Sequence, residues 1–141
     1  MTISRMTGIV LPATLAIAMK LTLEARPQGN LIRSYSPTEV RVGELRLRGS
    51  CIISADTLIT DWEPASFAEL SAAHLERVFA LRPEVVLLGT GAVQRFAPQP
   101  IRSAFAERGV GLEAMDLGAA CRTFNVLMQE DRRVAAALFF S

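Results

Sequence analysis

Four consecutive branched apolar residues, Val85-Val86-Leu87-Leu88, restrict the fold of this chain more than any other feature. Pro83 and Gly89 bound the run, so it is too short for an ordinary helix, and it lacks the alternation of a strand with one wet face. It reads as a strand covered on both sides, which demands other layers above and below it. A chain of 141 residues, 50% of them hydrophobic, is long enough for one domain built around such a strand.

The residues after the strand supply those layers. Pro100 suits the first turn of a helix whose buried stripe is Ile101, Ala104 and Phe105, with Gly109 as its stop. Leu112 to Met115 reads as a strand, Gly118 to about Gln129 as a helix, and Val134 to Phe140 as a closing apolar strand. This order implies an α/β layer with right-handed crossovers. Ahead of it, Ser66-Phe67-Ala68-Glu69 fits a capping box and Ser71 is a second cap. The helix that follows carries Leu75, Val78 and Phe79 as its stripe and ends at Pro83.

The first half reads as short strands: Arg33 to Tyr35, Glu39 to Val42 and Leu45 to Leu47, with Gly43-Glu44 as a turn. Ser50 to Ser54 and Thr57 to Thr60 follow, joined across Ala55-Asp56. Leu47, Cys51 and Ile53 would point inward, while Arg46 and Arg48 face water. This antiparallel meander either extends one edge of the main sheet or packs as a small subsheet. The meander strands could also pair edge to edge in a homodimer.

Residues 1–18 stand apart. Arg5 precedes an apolar run from Gly8 to Ala18 that ends Ala16-Ile17-Ala18, the small-x-small pattern of a signal-peptidase site. The run is shorter than the roughly 20 apolar residues that span a bilayer, so no integral membrane span is expected. A single positive charge and Pro12 argue against a secretory signal. The favoured alternative is a start assigned too far upstream, with Met19-Lys20 as the real beginning and 19–141 as one α/β domain.

Charge and composition exclude several classes. Charged residues make up 21% and the formal net charge is +1, with Arg41, Arg46 and Arg48 interleaved by Glu39 and Glu44, so no nucleic-acid partner is expected. Two cysteines, Cys51 and Cys121, and one histidine, His74, cannot make a disulfide framework or a histidine-based metal site. They fit a reducing, cytoplasmic setting. Asp56, Asp61, Glu63, Asp116 and Glu130 offer no paired acid and base. Cys121, near a helix start and beside Arg122, is open to a redox or nucleophilic role, but it lacks a positioned base, so a buried, inert thiol is the simpler reading. No catalytic residue, metal or cofactor is assigned, and the balance leans away from an enzyme.

Two segments remain as candidate ligand- or partner-binding residues. On the last helix, Ala120, Phe124, Leu127 and Met128 share one arc, with Cys121 at its edge, whereas Arg122, Asn125 and Gln129 share the other, flanked by Thr123 and Glu130. That polar arc is either a solvated face or, through Arg122, Thr123 and Asn125, the lining of a pocket for an anionic or polar group. Gly89-Thr90-Gly91 sits just past a strand end, where open α/β sheets bind ligands. It lacks the third glycine of a dinucleotide fingerprint and the lysine of a phosphate loop, so a structural turn is the simpler reading.

Leu87 to Gly91, Met115-Asp116, Ala119 through Leu127 and Glu130 through Leu138 resemble a small α/β domain family of unknown function. It is shared by bacteria, archaea and mitochondria, and its members include the third assembly factor of respiratory complex I and an adipogenesis-associated protein. The resemblance runs from about Lys20 onward. Phe124 stands where the family usually has an aromatic, and Asp131 where it frequently has glycine. The resemblance implies a three-layer single domain with a mixed central sheet, the meander preceding a βαβαβ half. It also implies a non-catalytic binding or assembly role with a protein partner, possible to link to complex I only by analogy. The family motif falls on Gly89, Thr90, Gly91, Arg122, Thr123 and Asn125. A small-molecule binder or weak enzyme using those residues is the alternative.

Overall fold

The computed structural model describes residues 29–141, and the expectations about residues 1–18 and Met19 lie outside the described residues. Three strands, β1 (Ile32–Ser36), β2 (Glu39–Val42) and β3 (Leu45–Leu47), form an antiparallel sheet of their own. Two more, β4 (Cys51–Ser54) and β5 (Leu58–Ile59), belong to a second sheet of five. Its other members are β6 (Val85–Thr90), β7 (Gly111–Met115) and β8 (Val134–Phe139), in the order β5-β4-β8-β6-β7. The meander therefore does both things open to it: its first part is a subsheet and its second part extends an edge.

The five-stranded sheet is mixed. β6 runs parallel to β7 and to β8, with Val85 level with Gly111 on one side and Val134 on the other. β4 runs antiparallel to β8, placing Ile52 against Ala137. Each strand sends alternate residues to opposite faces, and both faces are covered. On one face Cys51, Ile53, Leu87, Ala136 and Leu138 meet Leu117, Ala120, Phe124 and Met128 of α3 (Leu117–Gln129), together with Ile32, Val40 and Val42 of the small sheet. On the other, Ile52, Val86, Leu88 and Phe139 meet Trp62, Phe67, Leu75, Phe79, Ile101 and Phe105. Helix α3 packs on β6 and β8 and also on β1, so it lies within the protein and not merely upon it. Phe105, Phe124 and Phe139 are fully buried, each contributing about 2–3 kcal/mol of hydrophobic stabilisation.

The segment before Pro83 departs from a continuous helix. It consists of two 3₁₀ turns, Phe67–Glu69 and Ala72–Leu75, followed by α1 (Glu76–Phe79). The Ser66 side chain caps nothing; Glu69 instead accepts from the Ala65 N–H at 3.3 Å. At the second cap the Ser71 N–H donates to His74 Nδ1 at 3.0 Å. The buried residues Phe67, Leu70 and Leu75 all have to reach the sheet, and an extended Leu70 between the two turns makes this possible. Later elements fall close to expectation. Helix α2 (Gln99–Arg108) carries Pro100 in its first turn, and Gly109 ends it with a left-handed φ of 68°.

Candidate functional site

The C-terminal ends of β6 and β7 carry the glycine turn. Gly89 is needed for packing: a Cβ there would lie 2.9 Å from Leu138 Cδ2 and 3.2 Å from Ala120 Cβ, so its absence lets α3 close onto the sheet. Thr90 is completely buried. Its hydroxyl donates to Val93 O at 2.7 Å, has Met115 O within 3.2 Å, and accepts the Arg95 N–H at 3.0 Å. One side chain thus shapes the whole turn that follows. Gly91 adopts a φ of 89°, and its carbonyl accepts the Leu117 N–H at 2.8 Å, fixing the start of α3 against the loop.

Helix α3 is built to begin there. Asp116 is its N-cap, with a carboxylate oxygen accepting the Ala119 N–H at 2.9 Å. At Gly118 a Cβ would meet Tyr35 Cε1 at 2.8 Å, so glycine lets the Tyr35 ring lie against the helix. One turn on, Arg122 donates to the Tyr35 hydroxyl at 2.5 Å, its guanidinium carbon 5.9 Å from the ring centre. Asn125 accepts from the Ile32 N–H and donates to the Ile32 carbonyl, both at 2.9 Å. The amide acts as a substitute strand partner and ties β1 to α3 where the β1–β2 pairing is irregular, between Ile32 and Ser34. Thr123 is half-buried on the same helix.

Between these pieces lies a cleft of about 290 Å³, walled by Tyr35–Pro37, Gly91-Ala92 and Asp116–Gly118. Of the six expected residues, Gly91 borders it and Arg122 holds its Tyr35 wall. Gly89 and Thr90 lie beneath it, Asn125 fastens β1, and Thr123 is not among the lining residues. The walls contributed by Tyr35, Pro37, Asp116 and Gly118 were not singled out as a site from sequence. Asp116 three residues before Ala119 carried an N-cap signal, whereas the approach of Tyr35 across the fold carried none.

Arg33, Arg41, Arg46, Arg48, Arg77, Arg108, Arg132 and Arg133 all pair with carboxylates. Arg82, Arg95, Arg102 and Arg122, all exposed, have no carboxylate partner among the described residues, and of these Arg122 is held by Tyr35 and Arg102 by Ala97 O. Three large apolar side chains of the loop and the cleft wall are also exposed: Phe96 at 84%, Val93 at 61% and Tyr35 at 41%. The thiols contribute no reactivity. Burial pushes both Cys51 and Cys121 up to about 12, and the nearby Arg122 charge does not offset it for Cys121. Among the described residues no three His, Cys, Asp or Glu side chains are grouped to hold a metal ion.

Comparison with known proteins adds identity to this geometry. The chain is 33% identical over 112 residues to NADH dehydrogenase (ubiquinone) 1 alpha subcomplex assembly factor 3 of Danio rerio, a match covering 78% of this chain and 64% of that relative. It spans about three fifths of the length of the curated assembly-factor relatives it matches. A Xanthomonas campestris protein solved by NMR shares its fold at a TM-score of 0.73 and 38% identity, over 85% of this chain and 92% of that one. A Bartonella henselae protein described as an outer membrane protein matches at a TM-score of 0.69 and 33% identity, over 80% and 96%. Within this chain, no helix among the described residues is long and apolar enough to cross a membrane. Residues 32–139 match the model of a protein family of unknown function, DUF498/DUF598, and the chain belongs to that family.

Proposed function

We propose that this protein is a non-catalytic binding and assembly module that contacts a protein partner at the C-terminal ends of β6 and β7. The observation that carries the reading is the exposure of Val93 and Phe96 on the loop that follows the glycine turn, with Tyr35 exposed in the wall of the adjoining cleft. Assembly factors among its relatives support the same role, and by analogy the partner belongs to a respiratory NADH dehydrogenase. We place the protein in the cytoplasm. A homodimer through the exposed edge of β3 is a further option, which light scattering at rising concentration resolves.

The test is cross-linking and affinity purification of the tagged protein from its native cells. Enrichment of NADH dehydrogenase subunits above a tag-only control is expected. Recovery of no specific protein would remove the assembly reading. The cleft itself supports a second reading, a small polar or anionic ligand bounded by Gly91 and the Arg122-held Tyr35. Thermal-shift screening of nucleotides, flavins and organic acids tests it, because a ligand specific to the folded state raises the melting temperature. In that screen Arg122→Ala should abolish any shift, whereas the substitution changes nothing if the guanidinium is merely solvated.

A further inference from the structure

We infer that the loop of residues 91–98 is a preformed docking knob for a protein segment presenting carboxylates around an apolar side chain. The inference rests on the assembly reading above and narrows it to one face and one partner chemistry.

Exposed apolar side chains are ordinary when scattered. Val93 and Phe96 are not scattered: they lie three residues apart on one loop, whereas Leu45 and Val126 lie on β3 and α3. Nor is the loop loose. The buried Thr90 hydroxyl grips Val93 O and the Arg95 N–H, Gln94 Nε2 reaches Ala114 O at 3.4 Å, and Arg102 donates to Ala97 O at 2.5 Å. A backbone held at both flanks presents Val93 and Phe96 with little ordering entropy left to lose on binding, which favours tight, specific contacts.

Charge selects the partner. Arg102 turns back onto Ala97 O and the Gln99 side chain and Arg122 onto the Tyr35 hydroxyl, but Arg95 stays exposed and without a carboxylate among the described residues. Elsewhere the arginines are mostly neutralised in ion pairs. The Arg95 guanidinium, next in sequence to Phe96, complements acidic residues flanking a hydrophobic one. The cleft beside the loop, about 290 Å³ with Tyr35, Pro37 and Ala92 in its walls, is large enough to receive a side chain from that partner. A projecting knob next to a recess suits a shaped protein surface better than the plane of a lipid headgroup layer.

Selection of a phage-displayed random dodecapeptide library on the purified protein tests the proposal. Enriched peptides should carry Asp or Glu around an aromatic or aliphatic residue, and their synthetic versions should lose about tenfold or more in affinity for Phe96→Ser and for Arg95→Glu. Raising the salt concentration should weaken them further. These positions are exposed, and unchanged far-ultraviolet circular dichroism confirms that the variants fold. Basic consensus peptides, equal binding to the Phe96→Ser variant, or no enrichment would overturn the proposal. So would sedimentation with phosphatidylglycerol vesicles that depends on Phe96, or a concentration-dependent dimer abolished by Phe96→Ser. The native purification separates the two readings: a partner retained by Phe96→Ser leaves the assembly role standing and removes only this face.

Discussion

The two ends of the parallel strands hold clefts of almost the same size, yet they have opposite chemistry. At the N-terminal end, about 310 Å³ lies among Asp56, Pro83, Met128 and residues 131–135. There Glu84 binds Arg132 Nε at 2.8 Å, accepts the Arg133 N–H at 3.3 Å, and lies 4.0 Å from Arg133 Nη1. Arg133 in turn donates to the Arg82 carbonyl. Two non-glycine residues with left-handed backbone, Arg82 at φ 57° and Asp131 at φ 61°, sit in the same structure. At the C-terminal end the cleft is about 290 Å³, and its backbone is fixed by Thr90. Cavity volume therefore says little about which end recognises something. What differs is that the Glu84 carboxylate holds two arginines at one end, whereas at the other the Asp116 carboxylate caps a helix and holds none.

Substitution at Thr90 should produce the largest effect. Thr90→Val keeps the shape but leaves Val93 O and the Arg95 N–H without their buried partner, a loss of about 2–3 kcal/mol in urea unfolding. Amide exchange should accelerate in residues 91–98 and stay unchanged at 131–135. Equal acceleration at both ends would break the contrast. Asp116→Ala removes the α3 cap and should cost about 1 kcal/mol, read the same way. At the opposite end Asp131→Gly should stabilise by about 0.5 kcal/mol, since glycine accepts a φ of 61° without strain.

Glu84→Gln sharpens the comparison through pH. The hydrogen bond from Arg132, then that from the Arg133 backbone, hold the Glu84 carboxyl below its ordinary value of 4.5. Its contribution is therefore complete above that value and fades as pH falls through the folded one. The wild-type protein should lose stability on acidification through this window slightly faster than Glu84→Gln, in melting temperatures measured from neutral to acid pH. A Phe96→Ser variant, which keeps Glu84 and both arginines, should show the same acid-dependent loss as the wild type.

Much of this was readable in the chain. Val85 to Leu88 declared a doubly covered strand, and Pro100 and Gly109 bracketed α2 to within a residue. Asp131 occupies left-handed backbone, a conformation that glycine adopts without strain. Local signals failed where the deciding contact was distant. Ser66 to Glu69 has capping-box spacing, but Phe67 and Leu70 must both reach the sheet, and the backbone follows them instead. The polar arc of α3 was legible as an arc, yet no periodicity could show that a second sheet covers part of it. Asn125 meets Ile32, 93 positions away, and Arg122 meets Tyr35, 87 positions away. Gly91 and Tyr35 wall one cleft, and Arg122 reaches it only through its hydrogen bond to that tyrosine.

The placement of β8 has a consequence for how the protein is made. Last in chain order among the described strands, it is wedged between β4 and β6 and is buried along its whole length. Until it arrives, the strands on either side have no hydrogen-bonded strand between them and expose two bare edges to the solution. A nascent or truncated chain stopping short of Val134 should therefore be two sticky fragments, dependent on chaperones, and not a smaller stable version of the domain.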